Sequence, residues 1–339
     1  MRICMPLGRS GDGNMRLIIY FITVVLLIAC ENNASDKTVS YFYDNVSKIQ
    51  TVDEVSLSYR LDYPDNSQQI PLMLVIDGST CRGLGTNGML SLLKPDNSSP
   101  HPYARLIVEK VGVELNDDGE NCSDLFLQNY SIEDRVIQHL RALQHLRKNL
   151  SWWNGELLIW GWSDGGDIAA QLTAYYPDTK RAVLGAMGGG ITMGESFRDV
   201  DFCPRENFET GEERTICINK LEKHYDHIRR NPRWDETWLG EDNTLKVWET
   251  RLFSRLSHLL KDNNTPTLIV HGDQDKGQIN GARELREVLE AAENTAFTYW
   301  EIEGMGHSPR NLTSEQNTLI YNSMRDWLLT GKLSKPVLE

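Results

Sequence analysis

The sequence predicts a doubly wound, mostly parallel α/β sheet with a helical cap inserted after the sixth strand. Three observations lead there. Short apolar runs at residues 72–76, 104–109, 157–160, 181–187, 266–270 and 297–302 each end in a turn, as buried strands of a parallel sheet do. Segments of helical period lie between them, notably 132–143, 167–176 and 279–294. Ser163 and Asp275 are 112 positions apart, about twice what one helix, one strand and a crossover need.

The elements follow in order. Residues 41–50 and 54–63 alternate as an antiparallel hairpin leading into the sheet, and 72–76 and 104–109 are the third and fourth strands. Ser131 opens a helix with Ile132, Val136, Leu140 and Leu143 on one face. The run 157–160 passes through Gly161-Trp162-Ser163-Asp164-Gly165 into a second helix that Pro177 stops. After the sixth strand comes a charged insertion, 188–264, which carries Trp234, Trp238 and Trp248 and an amphipathic helix at 245–261; any one of these tryptophans reads first as core of the insertion itself. The last helix starts near Thr313 and ends before Gly331. This divides the chain into an amino-terminal signal (1–29), a tether (30–39), a core (40–187 with 265–332) and the cap (188–264).

Ser163 stands at an abrupt strand-to-helix bend with glycine two positions either side, where only a glycine-sized neighbour lets the turn close. A serine held this way is a nucleophile elbow. It needs a base and an orienting acid, and each should follow on a loop past a later strand. The turn His271-Gly272-Asp273-Gln274-Asp275 and the turn Gly304-Met305-Gly306-His307 are so placed.

With these motifs, residues 40 to 332 resemble the α/β-hydrolase superfamily. The resemblance implies Ser163 as nucleophile, His307 as base and Asp275 as acid, with Asp273 the alternative. It also implies two backbone donors for an oxyanion: the N–H of Asp164, and one from the loop Asp77-Gly78-Ser79-Thr80 after the third strand. Asp77 replaces the histidine the family has in that loop, which leaves Ser79 and Thr80 both open as the donor. The Asp164 side chain is expected to face solvent or cap its helix, and His271 to serve structure. Residues 83–88 match a dinucleotide fingerprint by letter, but Pro95 follows too soon for the helix such a site needs, so they read as a loop.

Arg16 precedes thirteen almost wholly apolar residues, 17–29, too few to span a bilayer and of the right length for a secretory signal. The ending Leu27-Ile28-Ala29-Cys30 resembles a bacterial lipobox, which implies lipidation at Cys30 and a place in the cell envelope, in the periplasm or at the outer membrane. A plain cleaved signal or an uncleaved anchor are the alternatives, and translation from Met15 would also give a compact signal.

Removing Cys4 and Cys30 with the signal leaves Cys81, Cys122, Cys203 and Cys217, an even number suited to an oxidising compartment. Three pairings are open. Parallel neighbouring strands would bring Cys81 to Cys122 at the carboxyl edge of the sheet, and Cys203 and Cys217 share the insertion, so these two pairs are favoured. No cysteine or histidine spacing points to a metal site, and no cofactor is implied.

The chain carries −13, and the first 29 residues contribute +2 through Arg2, Arg9 and Arg16 against Asp12, so the remainder stands at −15. Such a surface repels nucleic acid and other polyanions. Neutral or cationic substrates remain. The leading reading is a membrane-tethered serine hydrolase of carboxylic esters that needs no cofactor. Alternatives are a peptidase or amidase resembling the prolyl-oligopeptidase-like branch, and a surface binding protein that keeps the fold without turnover.

Overall fold

The computed structural model describes residues 40–338 apart from 51–54, 66–67, 84–90, 98 and 241–242. The expected signal, tether and Cys30 anchor, together with most of the loop 83–88, lie outside the described residues.

Eight strands form one sheet in the order β1-β2-β4-β3-β5-β6-β7-β8. Strand β1 (Tyr41–Gln50) pairs antiparallel with β2 (Ser56–Pro64), and β2 pairs antiparallel with β4 (Ala104–Val108). Every other pairing, through β3 (Ile70–Ile76), β5 (Trp153–Trp162), β6 (Thr179–Gly185), β7 (Thr267–Gly272) and β8 (Phe297–Ile302), is parallel. The mostly parallel sheet expected from the apolar runs is therefore present. The central strands are buried along nearly their whole length, which is why they read as continuous apolar runs and not as alternating ones. A buried ion pair, Arg105 Nε to Asp62 Oδ2 at 2.7 Å, ties two residues that are also register partners across β4 and β2.

Helices cover the sheet. In chain order they are α1 (Asp124–Asn129), α2 (Ile132–Asn149), α3 (Asp164–Tyr175), α4 (Met193–Ser196), α5 (Gly211–Arg230), α6 (Leu245–Leu252), α7 (Ser257–Leu260), α8 (Ile279–Ala291) and α9 (Ser314–Thr330). Ser131 caps α2 through the N–H of Asp134, and Thr313 with Gln316 forms a capping box on α9, which Gly331 ends in the left-handed region. One core cluster joins Trp160 and Trp162 of β5 to Tyr321, Met324 and Trp327 of α9.

Between β6 and β7 the chain builds α4, α5 and α6 around their own apolar cluster of Leu221, Tyr225, Ile228, Leu245, Trp248 and Leu252, with Trp238 packed against it. Trp238 and Trp248 thus serve this small core, while Trp234 is exposed. Among the boundaries that differ from the sequence expectation, two have a local cause. Strand β6 ends at Gly185, because Ala186 turns into the left-handed region at φ 50°. The single helix expected over 245–261 is broken after Leu252, where Arg255 is drawn back to the Gly190 carbonyl (2.8 Å) and the Glu195 carboxylate (2.6 Å).

The disulfides are Cys81–Cys122, from the β3 loop to the segment before α1, and Cys203–Cys217, within the insertion.

Candidate active site

Ser163 lies at the N-cap of α3 with φ 58° and ψ −128°, a left-handed conformation that costs a non-glycine residue roughly 1–3 kcal/mol. Its neighbours hold it there. The Ser163 N–H donates to the Gly185 carbonyl at 2.9 Å, and its own carbonyl accepts from Gly166 at 2.7 Å. A Cβ on Gly165 would lie 2.2 Å from the Ile76 carbonyl oxygen, so the first turn of α3 is seated directly on the end of β3.

The structure brings three expected residues together beyond the carboxyl ends of β5, β7 and β8. His307 Nε2 lies 3.0 Å from Ser163 Oγ, and His307 Nδ1 lies 2.9 Å from Asp275 Oδ2. Asp275 is 7% exposed, whereas the histidine side chain is about half open to solvent. The histidine turn is supported twice: the His307 carbonyl accepts from Trp162 Nε1 at 2.9 Å, and Asn311 bridges Gly304 O and Gly306 N at 2.6 and 3.0 Å. Asp273 points elsewhere. Its Oδ1 accepts from the Gly304 N–H at 2.8 Å and from Gln274, which fastens the β7 turn to the β8 turn. His271 is fully buried, and burial pushes its imidazole down to about 4 while nearby Asp275 acts the other way.

The loop after β3 meets Ser163 at Gly78. A Cβ there would stand 3.3 Å from Ser163 Cβ and 3.7 Å from its Oγ, so glycine gives the loop its close approach. Ser79 follows half-buried and Thr80 exposed, and Cys81 fixes the far side of the loop through its disulfide. The N–H of Asp164 belongs to the first turn of α3, whose donors have no partner within the helix and carry the positive end of its dipole.

The Asp164 side chain overturns the expectation that it faces solvent or caps α3. It is 4% exposed and is turned to side chains of other elements. Its Oδ2 accepts from the Tyr130 hydroxyl at 2.8 Å, from Arg251 Nε at 3.0 Å and from Arg251 Nη2. Burial opposes the Arg251 charge, but Asp164 and Tyr130 outweigh it and the guanidinium pKa is raised. One turn along α3, burial and then Asp164 push the Asp167 carboxyl up to about 8, against the pull of Arg251. Sequence reasoning placed Gly78 in the loop after β3 but missed Tyr130, Arg251 and Asn311, for which no local pattern gave a signal.

Among the described residues no group of three histidine, cysteine, aspartate or glutamate side chains is placed to hold a metal ion. The arrangement offers instead a hydroxyl, an imidazole and a carboxylate in hydrogen-bonded series beside backbone donors.

No protein-family model and no curated protein matches this sequence. Solved structures do match by fold. The chain superimposes on Est1E from Butyrivibrio proteoclasticus with a TM-score of 0.55 at 15% identity, over 84% of this chain and 97% of that one. A protein assigned as a dipeptidyl aminopeptidase IV from Bacteroides ovatus matches with a TM-score of 0.55 at 16% identity over 86% of this chain. There the match spans only 36% of the peptidase. An acylaminoacyl peptidase from Pyrococcus horikoshii matches with a TM-score of 0.53 at 12% identity, over 92% of this chain and 44% of that chain. At these identities the likeness shows the α/β-hydrolase fold.

Proposed function

We propose that this chain is a serine hydrolase that cleaves carboxylic esters through an acyl-serine intermediate. The observation that carries the reading is the unbroken series Ser163 Oγ, His307 Nε2, His307 Nδ1, Asp275 Oδ2, with spacings of 3.0 and 2.9 Å, mounted on a strained elbow. A serine hydroxyl is a weak nucleophile at neutral pH, so His307 takes its proton during attack on the acyl carbon and returns it to the leaving alkoxide. Asp275 holds the imidazole tautomer and stabilises the imidazolium as it forms. The N–H of Asp164 and an N–H of the Gly78, Ser79, Thr80 loop receive the charge on the tetrahedral oxygen. Water then attacks the acyl-serine with His307 again as base.

Ester substrates are favoured by the match over 96% of the Pyrococcus furiosus esterase Pf2001, and neutral or cationic ones by the chain's negative charge. The peptidases among the structural neighbours support a second reading, amide or peptide hydrolysis by the same residues. A panel of acyl esters run beside aminoacyl and prolyl amides separates the two. Ester turnover far above amide turnover is expected, and the reverse order would replace the first reading with the second.

We also propose that Cys30 carries a lipid anchor that holds the enzyme in a bacterial cell envelope, on the strength of residues 16–30. Mass spectrometry of the mature amino terminus should find a diacylglyceryl-modified cysteine. An unmodified terminus at another residue would refute the anchor.

A further inference from the structure

The carboxylate of Asp164 is held from two sides by groups distant in the chain. Tyr130 closes the segment that begins at the Cys81–Cys122 disulfide and stacks on Phe126 with ring centroids 4.7 Å apart. Arg251 comes from α6 of the insertion, 87 residues downstream, and its Nη1 donates to Asn243 Oδ1 at 2.7 Å. Helix α6 is itself fastened to the core, because Thr250 Oγ1 accepts the Ile132 N–H at 3.2 Å. Arg251 is 7% exposed and lies with its guanidinium 5.3 Å from the Trp248 ring of the insertion's core.

A buried ion pair gives little net stability over apolar side chains of the same volume, because desolvation offsets much of the attraction. Stability alone therefore does not account for this one. Direction does. The guanidinium is a rigid planar fork, and two of its nitrogens close on one carboxylate oxygen. Oxygen Oδ2 is thereby located from the cap side and, through Tyr130, from the core side. The residue so fixed immediately follows Ser163, and its main-chain N–H is the proposed oxyanion donor. Donors act by pointing, before reaction, at where charge will develop, so a small displacement weakens them.

We infer that Arg251 is a positioning residue through which the cap sets the oxyanion donor at Asp164, making the rate of the chemical step depend on a docked cap. This rests on the reading of Ser163 as nucleophile. A second conformation of the cap that withdrew Arg251 would leave a site that binds substrate and turns it over slowly.

The test compares Arg251→Met, Arg251→Lys and the double variant Arg251→Met with Asp164→Asn, using p-nitrophenyl acetate and circular dichroism to verify folding. Loss of a positioned donor should lower kcat by about 10- to 1,000-fold with KM changed less than about threefold. Lysine should restore part of kcat because it keeps the charge without the fork. Should Arg251→Met leave Asp164 buried without its cation and unfold the chain, the double variant removes both charges and should fold with kcat still low. A folded single or double variant with kcat within about threefold of the parent, or a loss carried by KM alone, would overturn the inference. Ser163→Ala run alongside separates the two claims: if it keeps turnover the hydrolase reading fails, and if it loses turnover while Arg251→Met does not, only the positioning role fails.

Discussion

A Cβ on Gly161 would stand 2.0 Å from the carbonyl oxygen of Gly165, and 2.7 Å from Ala169 Cβ. The two glycines of the elbow therefore exist for each other: the end of β5 and the first turn of α3 cross at backbone contact. Gly161→Ala must push α3 away from the strand. It should cost at least about 1–3 kcal/mol, as overpacking of a rigid site does, and slow turnover because Ser163 and the Asp164 N–H move together. Chemical denaturation with kinetics on the same sample checks both, and an alanine variant of parental stability would contradict the packing account.

The two aspartates of the β7 turn should separate cleanly. Asp275→Asn removes the carboxylate that His307 Nδ1 meets at 2.9 Å and should cut kcat by about 10⁴ with little loss of folding. Asp273→Asn loosens the Gly304 contact and should act mainly on stability. Steady-state kinetics and thermal melts of the pair check the ranking; a larger kcat loss at Asp273 would move the acid.

Breaking Cys81–Cys122, which closes a loop of 41 residues, should destabilise the fold by about 4 kcal/mol in the chain-entropy model. Cys203–Cys217, with a separation of 14, should be worth about 3 kcal/mol. Only the first should also slow catalysis, because Cys81 borders the Gly78, Ser79, Thr80 loop. Paired serine variants measured by urea unfolding and by kcat test this, and equal kcat losses for the two would contradict it.

Asp167 predicts a pH dependence of stability. It lines a small cavity between α3 and the insertion with Ile132, Met193, Thr250, Arg251 and Leu256. Burial raises its folded pKa to about 8, so the folded state keeps a proton that the unfolded chain releases near pH 4. Its stabilising contribution is thus full below about pH 4 and declines as pH rises to about 8. Asp167→Asn cannot titrate, so its stability relative to the parent should improve from about pH 4 to about pH 8 and level off above that, as read by melting temperature across that window. A constant difference between the two proteins would contradict the burial argument.

How far the sequence could be read depended on whether each feature was local. The elbow was legible because strand, glycine, serine, glycine and helix are contiguous, and the turns at Asp275 and His307 because each carries its own letters. The parallel strands were legible from unbroken apolar runs, since both faces of the sheet are covered. The Asp164 to Arg251 pair was not, because an arginine on an amphipathic helix gives no sign of a partner 87 residues away. The break after Leu252 was hidden for the same reason: Arg255 is drawn off the helix by Glu195, which no periodicity records. Nor did apolar pattern mark the end of β6, since Ala186 and Met187 are as buried as the strand itself and only the backbone turn at Ala186 ends it.

The central claim is that Ser163 is the nucleophile. The most direct measurement is labelling of the folded protein with a fluorophosphonate probe, followed by peptide mapping, in the parent and in Ser163→Ala. The account predicts a single label on Ser163, with label and ester turnover both lost in the variant. Labelling or turnover that survives the substitution would contradict it.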